Sequence, residues 1–238
     1  MDGFTYHNIF ETKGIEYLAI IIFFLILVPF WIFLNKKSGI NQKIKSTLGV
    51  LTASAIKIPQ GVFFSRNHTW AFLEKKGTAK VGVDDMIIQL TGRVKFEKVI
   101  DEGMTVQKGD ELATFSSSGK SLKIFSPISG TVTEKNNVLF EYPETVTEDP
   151  YNSGWVCRIK PFKWVEETNS YYLAEKANEW TTKEMERFRD FLSGAISKYS
   201  GDPEKVILQT GGELREKPLS DQPAAIWSDF QNQFLDYK

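Results

Sequence analysis

An uncharged apolar run, Tyr17–Leu34, constrains this chain more than any other feature; it reads YLAIIIFFLILVPFWIFL. The run is 18 residues long, and Ile15 extends it across Glu16. About 20 apolar residues at 1.5 Å each cross the hydrocarbon layer of a bilayer. A helix packed on a globular core keeps one polar face, and this run has none. It therefore predicts a transmembrane helix over 15–34. Pro29 is tolerable there as a kink, and Tyr17 and Trp31 stand near the ends, where amphipathic rings favour the interface. A cleaved signal peptide would need a basic start, a shorter run and small residues at the cleavage site. Residues 1–14 hold Asp2, Glu11 and a single Lys13, and bulky Trp31, Ile32, Phe33 and Leu34 close the run. An uncleaved anchor is the expectation.

Orientation follows from the flank. Residues 35–50 carry Lys36, Lys37, Lys43 and Lys45 and no acid, and lysines collect on the cytoplasmic side. The expected topology is single-pass in the cytoplasmic (inner) membrane. Residues 1–14 then form a short extracytoplasmic N-terminus, 35–57 a basic juxtamembrane linker, and the remainder faces the cytoplasm. The formal net charge of -1 over 238 residues exerts no pull toward nucleic acid. One cysteine, Cys157, precludes an intrachain disulfide and suits a reducing compartment.

From Ile58 the pattern changes to short β-branched and aromatic runs: 70–73, 79–83, 93–97, 111–115, 122–125 and 130–134. Turn pairs separate them at Lys76-Gly77, Glu102-Gly103, Lys108-Gly109 and Ser118-Gly119. Short strands at this spacing predict a compact β sandwich or barrel-like domain. Later the period becomes helical. Thr181 and Glu184 form a capping-box pattern, and Met185, Phe188, Leu192, Ile196 and Tyr199 follow on one face before Gly201-Asp202-Pro203. A last helix, starting between Asp221 and Pro223, presents Ile226, Trp227, Phe230 and Phe234 on one face. That face packs on its own domain or docks in a partner's groove, which makes Trp227, Phe230 and Phe234 docking candidates.

Little supports a catalytic centre. The chain has no P-loop and no Gly-x-Gly-x-x-Gly before a helix. His7 and His68 are its only histidines, too few and too far apart for a His/Cys metal cluster. Glu141, Glu144, Glu148 and Asp149 read as a solvated acidic face. Trp70 and Trp155 read as core.

Several ordered motifs between Ile58 and Leu192 resemble the glycine cleavage system H protein family. They are SRNHTW at 65–70, GTAKVGVDD at 77–85, GRVKFEKV at 92–99, then Gly103, Thr105-Val106 and Gly109. SPISGTVTEKN at 126–136 and EDPYNSGWV at 148–156, continuing as RIKP at 158–161, are the most specific. The resemblance implies a mainly β fold with C-terminal helices. A biotinyl/lipoyl-like β sandwich (a barrel-sandwich hybrid) over 58–192 would follow the transmembrane helix, with a C-terminal extension over 193–238. It also implies a non-enzymatic protein, and a structural place for His68.

Members of that family carry lipoate on a lysine at a β-hairpin tip. They shuttle it among the glycine decarboxylase P, T and L proteins. Ten residues beyond Gly109, and eight before Pro127, the family's lysine falls at position 119, which is glycine here. The acidic residue three before it is Ser116. Lys120 is the immediate neighbour, and Lys123 lies further along the returning strand. Two readings stay open. In the first there is no lipoate or other cofactor. The chain is then a docking or scaffold subunit held to the lipid bilayer, with unidentified membrane-associated protein partners. In the second, Lys120 is the lipoyl attachment site of a working carrier in glycine cleavage. A third, a cytoplasmic sensor of a membrane partner, has no residue that identifies its signal.

Overall fold

The computed structural model describes residues 10–35, 50–200, 208–209 and 213–236. The chain divides into two units, residues 1–44 and 45–238. The first unit contributes helix α1, Phe10–Asn35. Its described side chains run from Tyr17 to Trp31 and are exposed, among them Leu25, Ile26 and Trp31 at 60% or more. Among the described residues no helix is long and apolar enough to cross a membrane. This corrects the expected span over 15–34. Lys36, Lys37, Lys43 and Lys45, which carried the topology, lie outside the described residues.

The second unit is built on strands. In chain order they are β1 (Val50–Leu51), β2 (Phe63–Phe64), β3 (Thr69–Leu73) and β4 (Ala79–Val83), then helix α2 (Asp85–Thr91). Strands β5 (Lys95–Val99), β6 (Thr105–Val106), β7 (Glu111–Ser117), β8 (Lys120–Phe125) and β9 (Gly130–Lys135) follow. Short helices α3 (Val138–Glu141) and α4 (Glu144–Glu148) lead to β10 (Cys157–Pro161) and α5 (Trp164–Thr168). The chain ends in α6 (Ala174–Ser200), β11 (Leu208–Gln209), β12 (Glu213–Arg215) and α7 (Ala224–Phe230), the last prolonged by a π turn over Gln231–Leu235.

Two antiparallel sheets form the body. One runs β2-β3-β4-β10-β9-β6 and the other β5-β7-β8. Their pattern has the strand period of two: Leu122 and Ile124 are buried while Ser121 and Lys123, which alternate with them, are exposed. Asp84 starts α2, its Oδ1 accepting the Ile87 N–H at 3.0 Å, a strong N-cap. Two glycines are required by close approach. A Cβ on Gly82 would stand 2.6 Å from the Trp70 ring, and one on Gly130 would overlap the Lys160 carbonyl. Trp70 is fully buried, as expected of core, whereas Trp155 is half-buried beneath the Arg158 guanidinium, 4.4 Å above its ring.

Three readings change in the tertiary structure. Val50 and Leu51, expected in a linker, are buried and pair as β1 with Arg215 and Leu214 of β12. The helix expected from Thr181 begins at Ala174. Ala177 and Trp180 prolong its buried face by two turns, so Thr181 lies buried inside α6 and caps nothing there. The extension packs on the body. Phe188 and Leu192 of α6 and Trp227, Phe230 and Phe234 share one core cluster with Phe96, Phe115, Leu122 and Ile124 of the β5-β7-β8 sheet.

Candidate functional site

The β7–β8 hairpin is where a carrier lysine would sit. Its strands pair from Ser117↔Lys120 down to Ala113↔Ile124. Only Ser118 and Gly119 connect them, both with positive φ, 52° and 75°. Two such residues make the tight turn whose twist matches that of the strands. Glycine tolerates that φ freely and serine less so. A Cβ on Gly119 would meet nothing within 4 Å, so position 119 looks into open space. The tip has room for a long side chain and does not carry one.

Lys120 is the first residue of β8. Its Nζ donates to the Ser220 carbonyl at 3.0 Å and stands 5.6 Å from the Trp227 ring. Further down, Lys123 Nζ pairs with Glu111 Oε2 at 2.8 Å. Hydrogen bonding to Glu111 raises the Lys123 amine above its ordinary value, and the same bond holds the Glu111 carboxyl low. Ser116, at the place of the family's acid, pairs across to Lys95 on β5 and Ser121 on β8. Ser117 Oγ donates to the Thr91 carbonyl at 2.9 Å, tying the tip to the end of α2.

The open edge of β8 is closed by the chain's own C-terminal segment. The Lys123 N–H donates to Gln231 Oε1 at 2.7 Å, and Gln231 Nε2 donates to the Lys123 carbonyl at 3.2 Å. One side-chain amide thus does what a peptide group of a neighbouring strand would do. The Leu219 N–H donates to the Leu90 carbonyl at 3.0 Å, and Trp227 Nε1 to the Leu219 carbonyl at 2.9 Å.

The docking candidates are not at the surface. Trp227, Phe230 and Phe234 are 2% exposed or less. Phe230 meets Phe188 edge-on at 5.6 Å between ring centroids and stacks on Phe234 at 4.9 Å. Burying such rings is worth more inside than exposed, so this face packs on its own domain and offers no groove-seeking surface here.

A second cluster lies under the same segment. His68 is fully buried, with φ 56°. Its Nδ1 lies 2.7 Å from Asp84 Oδ2, and its Nε2 faces Glu184 Oε2 at 3.7 Å, an ion-pair distance too long for a hydrogen bond. Burial alone would depress the imidazole; the charge and hydrogen bond of Asp84, with Glu184 behind, push it up to about 9. Burial alone would raise the Glu184 carboxyl, but His68 and Arg187 hold it low. Arg187 pairs with Glu184 at 2.6 Å, donates to the Gln233 carbonyl and covers the Phe234 ring at 4.1 Å. His68 therefore has a structural place, as the resemblance implied. Its partners Asp84 and Glu184 are 16 and 116 residues away, and no sequence spacing announces them.

This is a small antiparallel β sandwich presenting a tight-turn hairpin, the architecture of lipoyl-type carrier domains. The profile of the glycine cleavage H-protein family matches residues 62–185, just over half of the chain, and the chain belongs to that family. The probable glycine cleavage system H protein of Pyrococcus horikoshii is 33% identical over 124 residues, covering 52% of this chain and 92% of that protein. The glycine cleavage system H protein of Rubrobacter xylanophilus is 39% identical over 104 residues, 44% and 82% of the two chains. A crystal structure of a glycine cleavage system H protein from Mycobacterium marinum superposes with a TM-score of 0.42 at 25% identity. It covers 44% of this chain and 86% of that one.

The tip offers one candidate amine for a lipoyl arm, that of Lys120, and it is engaged by the chain itself. The attachment needs a free primary amine on the turn. Position 119 has no side chain, and the neighbouring amine is held by Ser220.

Proposed function

We propose that this chain keeps the H-protein hairpin without a working arm, and serves as a non-enzymatic docking subunit of a membrane-associated complex. The observation that carries this is the pair Gly119 and Lys120: no side chain at the tip, and a next-door amine held by the Ser220 carbonyl at 3.0 Å. The H-protein-like domain over 58–192 would act together with the extension over 193–238. Both would be held at the inner membrane, with the main domain in the cytoplasm. Tethering raises the effective concentration of a docking subunit near membrane partners, and it helps a free shuttle much less.

The second reading is a lipoyl carrier of glycine cleavage, with lipoate on Lys120 and the glycine decarboxylase P, T and L proteins as partners. Family membership favours it, because the match spans 92% of the length of a Pyrococcus H protein. Intact mass of the protein purified from its own host, with peptide mapping across 109–135, separates the two. The docking reading expects an unmodified tip; a lipoyl increment on Lys120 would overturn it. Protease access to sealed vesicles tests the topology, since digestion of the domain from the outer face would refute the stated orientation.

A further inference from the structure

We propose that the Lys120 ammonium pins the segment Lys217–Gln222 over the hairpin tip, so that a closed segment and an acylated Lys120 exclude one another. The inference rests on reading β7–β8 as the family's carrier hairpin. The segment lies beyond the matched residues 62–185, so it is an addition to the family's domain.

Three observations carry it. The ammonium donates to the Ser220 carbonyl at 3.0 Å and faces the Trp227 ring. An acyl group on Nζ would remove the charge and leave a single N–H, so a charge-assisted hydrogen bond and a cation–π contact would both be lost. The segment is also held by Leu219 N–H to Leu90, by Trp227 Nε1 to the Leu219 carbonyl, by the Arg215–Asp221 ion pair at 2.7 Å and by buried Leu219 and Gln222; of these ties only the one from Lys120 is removed by acylation. It also holds strained backbone. Lys217, a residue with a full side chain, sits at φ 53° with its stem over Gly92, whose missing Cβ would lie 3.0 Å from Lys217 Cδ. Opening around Ser220 relieves that strain while Leu219, Phe230 and Phe234 stay in the core.

The coupling is reciprocal. A closed segment slows acylation of Lys120, and acylation favours the open segment. Neither effect needs α7 to leave the domain.

The test uses the whole chain in detergent and limiting acetic anhydride. The amine lone pair attacks an acyl carbon, the C–N bond forms, acetate leaves and the ammonium proton passes to buffer. Peptide mass then gives the rate at each lysine. Lys120 is expected to react about tenfold more slowly than exposed Lys98 on the same sheet, the protection that a local opening step confers. Hydrogen exchange over 217–223 is expected to quicken by about the same factor in Lys120→Met, and to stay near the parent rate in Lys120→Arg. Equal rates at Lys120 and Lys98, or unchanged exchange in Lys120→Met, would overturn the pin.

The two proposals fail separately. An unmodified but fast-reacting Lys120 sinks the pin and leaves the docking reading standing. Lipoate on Lys120 in protein from its own host, with 217–223 still protected, sinks the exclusion and leaves the carrier reading standing.

Discussion

At the residue scale, two positions decide how this chain departs from a plain carrier. Gly119 occupies the tip with φ 75° and open space around it. Gly119→Lys is expected to destabilise by about 1 kcal/mol, the penalty of a side chain at left-handed φ. It is also expected to turn the hairpin into a substrate for a lipoate ligase, read as a lipoyl mass increment on the tip peptide. No increment under conditions that modify an authentic H protein would mean that more than the missing lysine blocks the arm. His68 makes a pH prediction. Its folded value of about 9 lies above the ordinary 6.5. The stabilisation is therefore complete below pH 6.5 and is lost as pH rises through 9. Denaturant titrations at pH 6 and pH 9.5 should differ by up to about 3 kcal/mol. The difference should shrink in His68→Gln; a full pH difference in that variant would assign the effect elsewhere.

At the element scale, the sandwich depends on close approaches that only glycine allows. Gly82→Ala would drive a methyl into the Trp70 ring, and overpacking of this kind costs about 1–3 kcal/mol. A lowered melting midpoint by circular dichroism checks it. The β8 edge gives a contrasting case. Gln231→Ala removes both bonds to the Lys123 backbone but sits at a half-buried position at the sheet edge. Its effect should be about 1 kcal/mol or less, with faster exchange of the Lys123 amide as the specific sign.

For the β unit as a whole, the extension and the sandwich share one hydrophobic cluster. Phe230, fully buried among Phe188, Phe191 and Phe234, ties them together. Phe230→Ala should cost about 3–5 kcal/mol. Because the core is shared, the sandwich and the C-terminal helices should lose stability together, in one transition. A variant that melts in two steps, with the sandwich signal unmoved, would show the extension to be an independent appendage.

Much of this was legible in the residues. Turn pairs and period-two runs marked the strands, among them Leu122 and Ile124 of β8. Ordered motifs from Ser65 to Pro161 carried the family resemblance, and counting from Gly109 and Pro127 placed Gly119 at the tip, where the turn lies. These signals are local, or depend only on order along the chain, so a sequence can carry them. Other features join residues far apart: Lys120 to Ser220, Lys123 to Gln231, His68 to Glu184, and Val50 to Arg215. The apolar face of Trp227, Phe230 and Phe234 suited a partner's groove as well as a core. Which surface covers such a face depends on where the chain returns in space, and only the tertiary structure decided that.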